Sequence, residues 1–414
     1  MTGSAPLVRL APRPGPVAAA ELAAAFALPS ELPPFAPEIL DFLNTLHRRL
    51  LSDLEARALP DLQALAFELR PAALARLKAG FEASLPAGAV AVPRGLALHV
   101  PPANVDTMLF YSWLPALLTG NRNIVRVSER LGATAAVLLR LLAVSLEDSP
   151  VIADSVAFVS WPRDDRAITA ALSRLADARL LWGGDDSVTA LRAIPAAAHT
   201  LDLGFPDRVS RAVLKAEAYL ALSEPARQSL AEALAHDLFR FDQQACASPR
   251  LLVWCGTAAE ADRAGADLYP RLAAQAVRVA GIAAPGARLE RLTGGHRAIL
   301  DLPVIGIREY GAELTVIRLN RPQDLDRAEP AACRGLLPEA RIAALTDLAP
   351  AITRRTQTLV HFGFSGAELA GLARTLNGRG IDRMVPPGRA LTFSTLWDGT
   401  DLLRALVRLV TVLE

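Results

Sequence analysis

The sequence predicts an α/β fold of two domains, the first of them a doubly wound parallel sheet. Three observations carry this reading. The chain has 414 residues, 52% of them apolar, which is more than one hydrophobic core usually serves. From Gly95 onward, short apolar runs alternate with amphipathic stretches, the rhythm of strand, helix and strand that parallel sheets need. After "HTLDLGF" the alternation resumes at larger scale, so a second α/β domain is expected to start near residue 210.

Residues 1–90 are rich in Ala, Leu and Pro, and "PEILDFLNTLHRRLLSDLE" and "PDLQALAFELRPAALARLKAGFEASL" carry apolar residues at helical spacing. They predict a helical N-terminal segment packed on later elements. The order then reads strand "GLALHV", helix "NVDTMLFYSWLPALLTG", strand "NIVRVS", helix "GATAAVLLRLLAVSLED", strand "SVAFVSW", helix "DDRAITAALSRLADA" and strand "RLLWGG". Residues 91–210 are expected to form one sheet that takes ligands at the carboxyl ends of its strands. The second domain, 211–385, opens with helix "EPARQSLAEALAHDLFRFDQQ", strand "RLLVWCG" and helix "AAEADRAGADLYPRLAAQAVRVAG". Residues 386–414 are expected to return to the core or to an oligomer interface.

A formal charge of +1, with acids and bases mixed along the chain, gives no electrostatic reason to expect nucleic acid or an anionic membrane as partner. The first residues lack a basic stretch followed by an apolar one, and no run approaches about 18 uncharged apolar residues, so a cytoplasmic protein without a membrane span is expected. Three widely spaced cysteines, Cys246, Cys255 and Cys333, form no CxxC and have no histidine at metal-ligand spacing. Neither a disulfide framework nor a metal site is expected.

Cys246 lies in "FDQQACASPR", among amides, alanines and a serine. Cysteine is often a small core hydrophobe, and Cys255 in "LLVWCGT" and Cys333 in "PAACRGLL" suit that role. The small, polar neighbours of Cys246 instead leave room for a substrate to reach the sulfur. The local pattern leaves nucleophile and core both open. Asn104, in "PPANVDTMLF", reads either as a helix N-cap or as an amide donor at the carboxyl end of a strand. In "LLWGGDDSV", Gly183 and Gly184 turn a strand into a helix as a phosphate-approaching loop requires, although Asp185 and Asp186 would repel a phosphate.

Taken together these segments resemble the aldehyde dehydrogenase superfamily and, within it, the acyl-CoA reductase (LuxC-like) family that includes the fatty-acid reductase of bacterial luminescence. "PPAN", "LLTGN" and "IVRVSE" resemble the superfamily's oxyanion Asn, Gly-Asn turn and cofactor-binding strand end. "FDQQACASP" resembles the family's nucleophile segment, and "GRGIDRMVPPGRALTFSTLWDGTDLLRALVRLV" its C-terminus. The resemblance implies an aldehyde-dehydrogenase-like fold, with residues 91–210 binding a nicotinamide dinucleotide and 211–385 carrying the nucleophile. It implies reduction of an acyl thioester to an aldehyde through an acyl-enzyme on Cys246, with Asn104 as oxyanion donor. Arg126, Ser128 and Glu129 would contact the adenosine ribose, Gly183 and Gly184 the neighbouring cofactor atoms, and Glu309 the nicotinamide ribose.

Arg126 stands where the family often has Lys. A guanidinium suits a 2′-phosphate, and hence NADPH, whereas Glu129 could accept from the bare 2′-hydroxyl of NADH. Two further departures concern acidic groups. In "REYGAEL" Glu309 lies one position nearer the glycine than the superfamily's E-x-F-G motif places it, and "TLDLGFPD" offers Asp202 where hydrolytic relatives have a general-base Glu. The expected partners are acyl-CoA or an acyl carrier protein, an acyl-transferring or acyl-activating enzyme, and further copies of the chain in a homo-oligomer. Two competing readings keep the same residues: an acyltransferase that loads Cys246 without a nicotinamide, and a non-catalytic subunit that binds an acyl carrier.

Overall fold

Leu, Ala and Val make up most of the five-residue runs at the centre of the first sheet, and these runs are buried on both faces, as strands inside a parallel sheet must be. The computed structural model describes residues 7–281, 285–327 and 335–413. One unit comprises Met1–Pro206 and Phe393–Glu414, the other Asp207–Thr392.

The first unit contains β1 (Leu7–Ala11), β2 (Gly15–Val17), β3 (Ala89–Pro93), β4 (Leu96–Val100), β5 (Arg122–Arg126), β6 (Val156–Ser160), β7 (Ala178–Trp182) and β8 (Leu201–Phe205). Its helices include α1 (Pro37–Ser52), α2 (Met108–Leu118), α3 (Ala133–Glu147), α4 (Arg166–Leu175) and α5 (Asp185–Arg192). The sheet runs β2-β1-β6-β5-β4-β7-β8, and the last five strands are parallel. The chain winds outward from β4 through β5 to β6, then crosses back to β7 on the other side of β4. In open parallel sheets such a reversal is where ligands bind, here at the carboxyl ends of β4 and β7. Below the sheet, Trp113 of α2 sits edge-on to Phe42, Phe110 and Phe158 at 5.9, 5.5 and 5.1 Å between ring centroids. Such contacts fix the angle between helix and sheet.

The expectation that residues 1–90 are helical fails at both ends of that segment. β1 and β2 form an antiparallel edge on β6, because "LVRLA" buries Leu7 and Ala11 against it. β3 pairs antiparallel with Val407–Thr411, so the C-terminal segment returns to this unit. The division between units falls at Pro206 and Thr392 rather than at residues 210 and 385, since the next strand has already begun by residue 210.

The second unit contains β9 (Val209–Lys215), β10 (Pro249–Cys255), β11 (Val304–Tyr310), β12 (Leu314–Leu319), β13 (Leu336–Ile342), β14 (Thr356–Phe362) and β15 (Arg383–Val385). These lie in the order β11-β12-β13-β10-β9-β14-β15, all parallel except β11, which forms a hairpin with β12. The helices that matter below are α6 (Glu224–Phe239), α7 (Ala258–Ala280) and α8 (Gly366–Leu376). Among the described residues no helix is long and apolar enough to cross a membrane.

Candidate active site

The segment carrying Cys246 is short and contorted. Helix α6 ends at Phe239, and Phe241, Asp242 and Gln243 then follow with φ of 55°, 51° and 65°. Three consecutive left-handed residues without a glycine are unfavourable by roughly 1–3 kcal/mol each, and persist only where the surroundings dictate them. The surroundings here are explicit. The buried Gln243 carboxamide donates to the carbonyls of Pro249 (3.5 Å) and Leu336 (3.3 Å), and its oxygen accepts from the Gly335 N–H (3.2 Å). The Cys246 carbonyl accepts from the Ser210 hydroxyl at 2.7 Å, and that hydroxyl accepts from the Thr358 N–H at 3.1 Å. Cys246 is thus held at the amino edge of the second sheet, half-buried, just ahead of β10.

One turn earlier on α6, the fully buried Asp237 accepts from the N–H groups of Gly388 (2.6 Å) and Ala390 (3.1 Å). Burial pushes its pKa up to about 7 against the pull of those two donors. Cys255 behaves as a core residue: it ends β10, its sulfur lies 3.6 Å from the Ala343 carbonyl, and burial raises its pKa. Cys333 lies outside the described residues. Glu309 is exposed on the edge strand β11, 3.8 Å from Arg288. Its row continues through Thr315 to Leu336, so Glu309 lies on the amino edge of the sheet, the edge ahead of which the Cys246 turn sits.

In the first unit the sequence candidates collect at the opposite kind of edge. Asn104 is exposed on the loop that leaves β4, and Thr107 occupies the N-cap position of α2, so Asn104 is not that helix's cap. Asp106, on the same loop, accepts from the Ala135 N–H (3.1 Å) and so caps α3. A Cβ at Gly132 would lie 2.1 Å from its carboxylate, which is why glycine stands there. Arg126 ends β5, donates to the Trp161 carbonyl at 3.1 Å and lies 5.4 Å from the Trp161 ring centroid. Burial lowers its pKa, Glu129 opposes that shift and Arg163 adds to it. The Ser128 hydroxyl accepts from the Arg130 N–H, and Glu129 is exposed. Gly183, at φ 153°, turns β7 into α5, and nothing lies within 4 Å of a Cβ built on Gly184.

A buried relay beneath this edge was not legible in the sequence. Trp182 Nε1 can only donate, and does so to Ser112 Oγ at 2.9 Å. The Ser112 proton is then directed to His99 Nδ1 (3.0 Å), which puts the ring proton on Nε2, facing Asn123 Oδ1 at 3.1 Å. His99 is a neutral structural group whose pKa burial pushes down to about 4. Asp202 is likewise committed. Its two oxygens accept from Arg179 Nε (2.7 Å) and Nη2 (2.6 Å), a bidentate pair in which the guanidinium is buried. Among the described residues no cluster of His, Cys, Asp or Glu could hold a metal ion.

The sequence pattern of the family described as acyl-CoA reductase (LuxC) matches residues 38–278. The long-chain acyl-protein thioester reductase of Aliivibrio fischeri is 29% identical over 168 residues, 40% of this chain and 33% of that protein. Its counterpart in Vibrio harveyi is 28% identical over 169 residues, with the same shares covered. The matched stretch therefore spans about a third of the length of these relatives. Among solved structures, indole-3-acetaldehyde dehydrogenase complexed with NAD+ superposes with a TM-score of 0.67 at 14% identity, covering 98% of this chain and 92% of that one. Lactaldehyde dehydrogenase from Escherichia coli gives 0.64 at 15% identity, covering 94% and 87%. The fold is that of the aldehyde dehydrogenases.

Proposed function

The chain belongs to the acyl-CoA reductase (LuxC) family, and on that premise we propose that it reduces an acyl thioester to an aldehyde through an acyl-enzyme on Cys246, with a reduced nicotinamide cofactor. The observation that carries the proposal is the Cys246 segment: a half-buried thiol behind three left-handed residues, held by Gln243 and Ser210. A thiol that was only core filling would not need such restraint.

The first unit suits the cofactor. Its sheet reverses at β4 and β7, Gly184 leaves open space beside its backbone there, and α2 and α5 begin without a side-chain cap. In this reading residues Met1–Pro206 with the returning tail form the cofactor-binding domain and Asp207–Thr392 the catalytic domain. Arg126, Ser128 and Glu129 meet the adenosine ribose, Gly183 and Gly184 the adjoining part, and Glu309 the nicotinamide ribose. Arg126, with Arg163 near enough to act on it, favours a 2′-phosphate, so NADPH is the proposed reductant and NADH the weaker one. The bound nicotinamide supplies the hydride.

The protein's own residues do the rest. The Cys246 thiolate attacks the thioester carbonyl, and the family resemblance assigns the oxyanion to the Asn104 amide together with the Cys246 N–H. The carrier thiol leaves with the proton that Cys246 gave up. Once hydride has reached the acyl carbon, the thiohemiacetal on Cys246 collapses to aldehyde and thiolate. Water is a poor competitor because Asp202, where hydrolytic relatives keep their base, is locked by Arg179. The substrates proposed are acyl-CoA or an acyl carrier protein, delivered by an acyl-transferring or acyl-activating enzyme. A reduced thiol and a reduced nicotinamide suit the cytoplasm. The exposed apolar residues Val90, Leu409 and Val410 on the strand pair β3 and Val407–Thr411 support a homo-oligomer.

The test is mass spectrometry after incubation with a panel of acyl-CoAs and acyl carrier proteins, followed by NADPH or NADH. An acyl adduct on the Cys246 peptide, discharged as aldehyde on adding NADPH, is expected. An adduct that passes to an amine or alcohol and ignores both nicotinamides would overturn the reductase reading.

A further inference from the structure

We propose that Ser210 and Gln243 are positioning residues that together aim the Cys246 thiol. This rests on Cys246 being the nucleophile. Left alone, the run Phe241 to Gln243 would relax toward ordinary backbone angles and carry the cysteine with it. Two side chains from opposite sides of the segment prevent this. Gln243 spans its base: one carboxamide reaches Pro249, the first residue of β10, and also Gly335 and Leu336 at the start of β13. It therefore closes the six-residue path around Cys246 and anchors it to the neighbouring parallel strand.

Ser210 acts on the cysteine itself. Its hydroxyl is oriented by the Thr358 N–H of β14, which leaves the proton to point at the Cys246 carbonyl. Fixing that carbonyl fixes the peptide plane, so the Cα–Cβ direction is set and the thiol keeps only rotation about χ1. Both residues are buried, Ser210 0% and Gln243 2% exposed, so their effect is exerted through Cys246. The step affected is bond formation from sulfur to the acyl carbon with departure of the carrier thiol; substrate affinity should not change.

The experiment measures single-turnover acyl-enzyme formation by mass spectrometry, per folded molecule, for wild type, Ser210→Ala, Ser210→Thr, Gln243→Ala and Cys246→Ala. Ser210→Ala and Gln243→Ala should each slow acylation at saturating thioester by about tenfold or more, the scale expected when a reacting group is misplaced by a fraction of an ångström. Half-saturation should stay unchanged, and Ser210→Thr should recover most of the rate. If Ser210→Ala and Gln243→Ala acylate at the wild-type rate while Cys246→Ala does not, the positioning role is overturned and the nucleophile stands. If Cys246→Ala still acylates, the nucleophile reading itself fails and takes the proposal with it. A lower melting temperature with an unchanged rate per folded molecule marks both residues as structural only and overturns the proposal.

Discussion

In the first unit, the helices that follow β4 and β7 begin at Thr107 and Gly184 without a side-chain cap, although at α2 the Met108 N–H is already taken by the Val105 carbonyl at 3.0 Å. In the second unit, the helices that follow β10 and β14 begin inside complete capping boxes: Thr257 with Glu260, and Ser365 with Glu368. Lys215, at the end of β9, lies 3.7 Å from Glu368. The carboxyl edge of the second sheet has thus supplied its own anions. The proposed nucleophile, Cys246, lies at the other edge, where the backbone before β10 is strained and clamped. The same winding rule gives one sheet whose carboxyl edge begins its helices without side-chain caps and another whose helices are capped by their own residues.

The sharpest way to break this comparison is to remove Cys246, the proposed nucleophile on the clamped edge. Cys246→Ala should abolish both acyl-enzyme and aldehyde, whereas Cys255→Ala, a change at the carboxyl edge, should leave the chemistry intact. Acylation measured by mass spectrometry decides it. A Cys246→Ala protein that still accepts a labelled acyl group would place the chemistry elsewhere.

Next in size is Asn104→Ala, expected to slow acylation by about 10²-fold or more, as for a lost oxyanion donor. Thr107, not Asn104, holds the cap position of α2, so the melting temperature should hold. A rate at the wild-type level, with or without a loss of stability, would remove Asn104 from the site.

Much of this was legible in the sequence because it is periodic or local. Alternating apolar runs marked β4 to β8, and the small polar neighbours of Cys246 set it apart from Cys255. What stayed hidden depends on contacts between residues far apart in sequence. Nothing local tells Ser210 from any strand serine, or says that Gln243 rather than Gln244 is buried. His99 and Trp182 read as strand residues, and only the sheet order brings them to one hydroxyl. The N-terminal strands were missed because β1 and β2 are short and embedded among prolines that read as a lead-in.

The buried relay of the first unit should register in stability. His99 has a folded pKa of about 4 against 6.5 when unfolded, so between those values the unfolded chain binds the extra proton. Stability therefore rises with pH across that window, and acidification from pH 6.5 to 4 should remove about 3 kcal/mol. Asp237 in the second unit works in the opposite sense. Its folded pKa of about 7 lies above the ordinary 3.8, so its contribution is full below 3.8 and is lost as pH rises through 7. Urea melts of His99→Gln and Asp237→Asn from pH 4 to 8 should flatten opposite slopes. Equal slopes in wild type and both variants would sink this account.

The smallest effects come from exchanging the capping patterns. Ser365→Ala opens a box whose hydroxyl now accepts from the Glu368 N–H at 3.3 Å, and should lower stability by about 1 kcal/mol with no change in acylation or in NADPH binding. Gly184→Ser does the reverse in the first unit. Its backbone angles, φ −65° and ψ 161°, suit serine, and no atom lies within 4 Å of the new Cβ, so the chain should accept it without strain. The added hydroxyl can satisfy an N–H at the start of α5, which should raise stability by at most a few tenths of a kcal/mol. If that N–H otherwise serves the cofactor, NADPH binding should weaken severalfold in a fluorescence titration. Binding at wild-type strength in Gly184→Ser, alongside a stabilised fold, would show that the start of α5 is open without being part of the cofactor site, and would reduce the contrast between the two sheets to one of stability alone.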